Sequence, residues 1–414
     1  MRSHIPLRFL ACTLAGSICA TDDTSAQVSF TRLVDNQTQM PGAPQGRTFL
    51  NMYASGISGN RIVMYGEGLT PQGVYEWNSG SLSRIADTTT PVPQSTGSFL
   101  SLGSGPNSGE HVLFGGRGSA TGGLYNRLNG QLGRVFDETM TAPNGGKFLG
   151  AFSYGIDGTS IAFFAGHSSG ASSLPSVYRW DNGTITTVAD TTTAVPGGTG
   201  NFSDLQNTSV RIDQGAAMFI GLDANNKRGI YRRPSGGALS AVVDINTDGP
   251  SGMGKFASVV DFDSTGDDLI LRGSTQTGGG GLYTRHNSTW SKLATTGDAA
   301  PGGGTFQLMQ SLTLQSGVSV FHSAPFGTEY AIYSDYSGTL QRIIGPGDTL
   351  DGKTVFSAAL GGRDGNNLAV TITFTDHTPP TSFDQAIYKV TLPAPPSAFI
   401  PFVGAAFLAA RRSR

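Results

Sequence analysis

With 414 residues the chain has room for one large domain or roughly two to four ordinary ones. Glycine supplies 59 residues, about twice the usual ~7% share, while charged residues reach only 14% against the usual ~25%. That profile excludes a coiled coil, a helical bundle and a highly charged disordered chain. The formal net charge is −2, or −5 once the two ends are set aside, so no nucleic-acid partner is expected.

The chain opens with MRSHIPLRFLACTLAGSICATDDTSAQ. Arg2 and Arg8 precede or flank an apolar run over residues 9–20, and small residues then offer cleavage after Ala20 or Ala26. Basic, apolar and small-residue regions in that order predict a secretory signal peptide over residues 1–26. Cys12 and Cys19 both lie inside it, so disulfides, Cys-ligated zinc and thiol catalysis are not expected of the mature protein.

Residues 27–392 repeat one unit seven times. A Tyr preceded by an aliphatic residue recurs at Tyr75, Tyr125, Tyr178, Tyr231, Tyr283, Tyr333 and Tyr388, spaced by 50, 53, 53, 52, 50 and 55 residues. An Asp with Pro six residues on recurs at Asp35, Asp87, Asp137, Asp190 and Asp244. The sixth copy has Thr295 in place of the Asp and keeps Pro301; the seventh, with Gly345 and Asp351, has neither. A Phe comes next in every copy: Phe49, Phe99, Phe148, Phe202, Phe256, Phe306 and Phe356. Within each unit four short alternating segments are broken by Gly, Asn and Ser, which is hairpin patterning, and no stretch has a capped helical period.

Four-stranded units of about 50 residues in four to eight copies are the pattern of a β-propeller, because a lone meander buries both faces only between ring neighbours. The expected fold is therefore all-β: a seven-bladed β-propeller of four-stranded antiparallel blades. The body begins with a lone fourth-strand pattern at residues 29–34 and ends with a lone third strand at residues 386–390. Pairing these closes the ring by joining the N-terminal strand to the last blade. The Phe, Tyr and aliphatic positions are then the core between blades. The units are loosely kelch-like. They more closely resemble the Asp-x-x-Thr-x-x-Pro-Gly propeller repeats of secreted bacterial proteins, a group without an established activity, and the resemblance implies fold and location only.

The chain ends LPAPPSAFIPFVGAAFLAARRSR: a proline stop at Pro393, Pro395 and Pro396, an apolar stretch, then Arg411, Arg412 and Arg414. This three-part ending resembles the PEP-CTERM class of bacterial envelope sorting signals, with Pro393-Ala394-Pro395 in place of Pro-Glu-Pro. The resemblance implies that residues 393–414 are a sorting or anchor tail read by an exosortase-type enzyme. It implies a secreted, envelope-associated protein.

Chemistry is sparse. In a propeller the crossovers between blades share one face with the loops joining second to third strands, and ligand specificity is expected on that loop-rich face. The repeated Asp reads either as a ring of carboxylates for cations or as a turn cap, and repetition favours the cap. Gly166-His167-Ser168-Ser169-Gly170 matches a nucleophile elbow but lacks the helix that motif requires. Asp261, Asp263 and Asp267 alternate before and after Gly266 like the opening of a calcium loop, although a tight hairpin suits the segment as well. His111, His167, His286, His322 and His377 show no metal-ligand spacing, and three of them are assigned to variable loops. Five Asn-x-Ser/Thr sites, at Asn36, Asn182, Asn201, Asn207 and Asn287, matter only in a host that glycosylates them. The first strands, read as FLNMYAS, FLSLGSG, FLGAFSY, FSDLQNT, FASVVDF, FQLMQSL and FSAALGG, line the channel and hold only Asp204 and Asp261 as acids. Acid–base catalysis needs partners within hydrogen-bond reach. The expectation is a non-catalytic binding or structural module for a protein or glycan ligand at the cell surface, with no cofactor beyond a calcium candidate. The alternative is a secreted glycan hydrolase or lyase, signalled by convergence of His322, His377 and Asp384 on the loop-rich face.

Overall fold

The computed structural model describes residues 27–170, 172–324, 329–375 and 384–394. Both predicted targeting segments, residues 1–26 and most of 393–414, lie outside that range, as does His377. Among the described residues there is no helix.

Strands form seven antiparallel sheets, six of them built from consecutive segments, arranged as the blades of a ring. Blade one, for example, runs Asn51–Ser58, Arg61–Glu67, Gln72–Asn78 and Ser81–Asp87 from axis to rim. The seventh blade is composite. Lys353–Asp364, Asn367–Phe374 and Asp384–Thr391 supply its inner three strands, and Ser29–Asp35 from the other end of the chain supplies the fourth. That strand pairs in register from Ser29 opposite Thr391 to Asp35 opposite Ala386. Val34 is thereby sealed in the core beside Met40, Phe49 and Ile387. The ring is closed by the strand pairing that the offset ends predict.

The two sequence registers meet physically. In blades one to six the crossover Phe sets its ring edge-on against the Tyr of its own blade, as with Phe49 and Tyr75 (centroids 5.2 Å apart, planes at 87°) and Phe99 and Tyr125 (4.9 Å, 87°). This edge-to-face geometry matches positive ring edge to negative ring face. In all seven blades the pairing of third and fourth strands skips a residue opposite or beside that Tyr, so the bulge is part of the repeat. The ring also explains one glycine of the unit. A Cβ on Gly66 or Gly221 would lie 2.4 or 2.6 Å from the covering Phe ring, so only glycine admits it.

Blade seven departs from the expected register. Phe356, read as its core aromatic, is 37% exposed, and Val355 is buried instead. Val355 donates its N–H to Asp348 O just as Phe306 donates to Asp298 O one blade earlier, so the equivalent residue is one position upstream.

The crossovers favour the capping reading. In the first five copies Asp Oδ1 accepts the N–H two residues on, for instance Thr89 N to Asp87 at 2.9 Å and Thr192 N to Asp190 at 2.9 Å. Where Thr stands at the third position its hydroxyl accepts the Asp N–H in return, as Thr90 does for Asp87. The sixth and seventh copies have not lost the device. Thr295 N donates to Asp298 Oδ2 and Gly345 N to Asp348 Oδ2, both at 2.8 Å, so the carboxylate has moved three residues along. A cation from the fourth strand meets it in several blades: Arg84 with Asp87 at 2.8 Å, Arg134 with Asp137 at 2.6 Å, Lys292 with Asp298 at 3.1 Å.

Burial pushes the Asp87, Asp137 and Asp190 carboxyls up. Hydrogen bonds from the following Thr residues, joined by Arg84, Arg134 and Asn144 respectively, outweigh it and leave all three below the ordinary value. A carboxyl depressed on folding contributes stability above its unfolded pKa of about 3.9, and that contribution is lost as pH falls through the folded value. Asp87→Asn is expected to lower stability by about 2 kcal/mol at pH 7 and to narrow its deficit against wild type below pH 4. Melting temperatures from pH 2.5 to 7 check this; parallel curves for the two proteins would refute the role assigned to the ionised carboxylate.

Candidate functional sites

Two cavities hold converging polar groups, one at each end of the ring. The first opens on the loop-rich face of blade three, about 590 Å³ in volume, between the crossover entering that blade and the crossover leaving it. The second and third strands of this blade, Ser160–Ser169 and Ser172–Asp181, are longer than in most blades and carry His167 and Ser176 to the pocket. Tyr178 donates its hydroxyl to Asn144 Oδ1 at 2.8 Å, and Asn144 Nδ2 donates to Ser176 Oγ at 3.0 Å and Asp190 Oδ2 at 3.2 Å. His167 Nδ1 lies 3.2 Å from both Ser176 Oγ and Tyr178 OH. One ring nitrogen is thus held inside the network, while the other, Nε2, makes no hydrogen bond among the described residues. Burial holds the His167 pKa below the ordinary value despite the opposing charge of Asp190. The ring is neutral at pH 7 and can exchange one hydrogen bond with an occupant.

The composition Ser, His and Asp suggests hydrolysis, but the geometry does not provide it. Ser176 has no exposed surface, so no substrate reaches its oxygen. Ser168, the central residue of the elbow pattern, accepts the Lys147 N–H at 2.8 Å and stands at the end of a strand that turns into a hairpin. Asp190 is occupied as a turn cap.

The second cavity, about 400 Å³, occupies the channel near the opposite, hairpin face and is lined by all seven blades. Here the sequence reading needs correction. The inner strands of blades four, five and seven run to Asp213, Thr265 and Asp364, beyond the seven-residue segments expected. The added residues bring Arg211, Asp263 and Arg363 to the channel wall. Arg211 Nε is 3.5 Å from Asp263 Oδ1, and its Nη2 is 3.9 Å from Asp261 Oδ1. Ser209 Oγ donates to Asp261 at 2.5 Å, and Leu314 N donates to Asp263 Oδ2 at 2.9 Å. Burial raises the Asp263 carboxyl against the pull of Arg211. Burial likewise lowers Arg363 to about 10, opposed by Asp335 and Asp263. Arg363 spends its guanidinium on the carbonyls of Val318 (2.6 Å), Gln315 (3.2 Å) and Gly365 (2.8 Å), so it fastens blade seven to blade six.

Among the described residues, the remaining sequence candidates do not gather into a further site. Asp263 lines the channel cavity and Asp261, two residues before it on the same strand, stands beside it against Arg211, while Asp267 sits in the turn with Gly266, outside the cavity and beside Arg285. The three calcium candidates therefore do not converge, and among the described residues no three His, Cys, Asp or Glu side chains gather as a metal site. Asp204 opens the inner strand of blade four at the loop-rich end. His111 is structural, its Nδ1 3.1 Å from Gly158 O and its Nε2 2.9 Å from Asn126 Nδ2. His286 pairs with Asp268 at 2.7 Å on the hairpin face. His167 and His322, assigned to loops, lie on second strands instead, Ser160–Ser169 and Val318–Ala324. His322 is buried, lowered by that burial to about 4, and accepts the Leu360 N–H at 3.3 Å. Asp384 pairs with Lys353 at 2.5 Å.

A family model described as "Family of unknown function (DUF7453)" matches residues 114–389. No curated protein matches the chain. Similar solved structures include the β-propeller domain of the Trilobed protease from Pyrococcus furiosus (9% identity, TM-score 0.42, covering 69% of this chain and 78% of that one). Others are polysaccharide lyase Uly1 (10%, 0.42, 89% and 99%) and the Aleuria aurantia lectin (14%, 0.39, 73% and 99%). Likenesses this distant carry nothing about ligand or chemistry.

Proposed function

The chain belongs to the DUF7453 family of unknown function, and we propose that it acts as a non-catalytic binding module that is secreted and held at the cell envelope by its tail. Its ligand is a protein or glycan of the cell surface, taken up in the blade-three pocket on the loop-rich face. The observation that carries this reading is the network from Tyr178 through Asn144 and Ser176 to His167. It fixes a neutral ring at a pocket of about 590 Å³, within the roughly 300–1,000 Å³ of small-ligand sites, with the serine bonded to that ring, Ser176, sealed from a substrate. Export, processing by an exosortase-type enzyme and the absence of a cofactor belong to the same proposal.

The test takes the exported protein, its mass showing loss of residues 1–20 or 1–26, to glycan-array and cell-surface pull-down screens. His167→Ala and Asn144→Ala are expected to weaken capture of the strongest ligand by tenfold or more. Capture unchanged in both variants, or a protein retained in the cytosol with both ends intact, would defeat the reading. A secreted glycan hydrolase or lyase is the second reading, and Asp261, Asp263 and Arg211 together in the channel favour it. Release of sugar products from the captured glycan would decide for it.

A further inference from the structure

The channel has two chemically distinct ends. Near the hairpin face stand Arg211, Asp261 and Asp263. The facing wall is backbone: a Cβ on Gly361 would lie 2.2 Å from Ala54 O, and one on Gly155 3.2 Å from the Arg211 Cα, so neighbouring blades close up where these glycines stand. Toward the loop-rich face the character changes. Tyr53, Leu100, Leu149, Phe152, Leu308 and Phe356 account for all but one of the exposed large apolar side chains among the described residues. Each lies on, or directly before, an innermost strand, whose open side is the axis.

The ionic end is incompletely used by the protein. Of the Arg211 guanidinium, only Nη1 makes a hydrogen bond among the described residues, to Val210 O at 3.1 Å, since its separations from Asp261 and Asp263 exceed hydrogen-bond length. Asn107, 9% exposed, lines the same cavity; both atoms of its amide are sealed from solvent against the neighbouring blade and have no hydrogen-bond partner among the described residues. A buried amide left unsatisfied is costly, and turning this side chain into the cavity to meet an occupant recovers that cost. Charge fixes the class of occupant. Asp261 and Asp263 balance the guanidinium charges of Arg211 and Arg363 at this end, so neither an anion nor a cation is favoured over a neutral ligand. A ligand whose groups both donate and accept satisfies all three kinds of partner: hydroxyls donate to Asp263 and accept from Arg211 and the Asn107 amide. The apolar collar then covers the C–H faces of the rest of such a ligand.

We infer that the hairpin end of the channel binds the end of a neutral oligosaccharide chain, inserted along the axis, at a site separate from the blade-three pocket. The first sugar unit exchanges hydrogen bonds with Arg211, Asp263 and Asn107, and later units pass Phe152 and Tyr53.

The test is calorimetric titration of the full chain with neutral hexasaccharides (cello-, xylo- and laminarihexaose) and with hexagalacturonate as the charged comparison. At least one neutral hexamer is expected to bind, with hexagalacturonate at least tenfold weaker. Arg211→Gln and Asp263→Asn should each weaken binding tenfold or more, and His167→Ala should leave it unchanged, which separates this site from the blade-three pocket. Phe152→Ser, at a position 60% exposed, provides a variant that does not disturb the core and should weaken binding at least threefold. The inference is overturned if no neutral hexamer binds, if the charged hexamer binds as well, if binding depends on His167 rather than Arg211, or if the probe is cleaved.

Discussion

Removing residues 27–35 is expected to unfold the ring at physiological temperature or to leave it aggregating. The fourth strand of blade seven, Ser29–Asp35, comes from the start of the chain, so its deletion strips the outer pairing partner from residues 386–391. The exposed edge then carries unpaired backbone groups over a surface that had buried Tyr388 and Val390, which is a template for intermolecular pairing. Val34, 1% exposed, leaves a cavity against Met40 and Phe49 in the same step. The single change Val34→Asp isolates the core contribution, since burying an unpaired carboxylate there costs about 3–5 kcal/mol. Thermal unfolding and light scattering measure both variants. A synthetic peptide of residues 27–37 added to the truncated chain is expected to restore part of the lost melting temperature. A truncated protein that melts with the full chain would show that the joint between the two ends carries no load.

The second large effect is at Phe148. Its ring lies 4.4 Å from Phe136 and 5.1 Å from Tyr178, with Phe163 stacked 4.8 Å from Phe136, so blade three has the densest aromatic packing of the ring. Phe148→Ala should cost about 3–5 kcal/mol through lost transfer energy and the cavity left behind. Phe356→Ala occupies the same position by sequence register and should cost less than Phe148→Ala, because that ring is 37% exposed and Val355 fills the core instead. Denaturant titration of the two variants separates the alternatives. Equal losses would mean that the repeat, not burial, sets the energetics of blade seven.

The contrast between Phe148 and Phe356 shows where sequence reading stops. Six of the seven Phe positions are legible because the same ring meets the same Tyr in each blade, and a repeated contact imposes a repeated residue. The seventh is off by one place, since Phe356 adjoins a Val that does the packing. The caps behave likewise. Asp35, Asp87, Asp137, Asp190 and Asp244 read as turn caps, whereas Asp298 and Asp348 perform the same task from three residues away. A carboxylate can reach a given N–H from either side of a tight turn, so the hydrogen bond persists while the motif disappears.

The candidate sites are less legible. Polar groups are expected on the loop-rich face, and His167 stands out in the sequence, but its partners Asn144, Ser176 and Tyr178 come from a crossover and a neighbouring strand. The ionic end of the channel escapes sequence reading because period-two alternation marks which way a side chain points and not how far a strand continues. Arg211 and Asp263 fall just past the repeated segments, where the copies no longer resemble one another.

By itself the sequence determined the architecture: seven units, four strands in each, and a ring fastened by its two ends. These come from local periodicity and from the offset of the first and last strands, both of which are linear properties of the chain. Only the tertiary structure decided which side chains share a cavity. Arg211 and Asp263 are 52 positions apart, and Asn107 lies more than a hundred further back; they become neighbours because successive inner strands converge on one axis. Periodicity specifies each blade, whereas the contents of the channel depend on the closure of all seven.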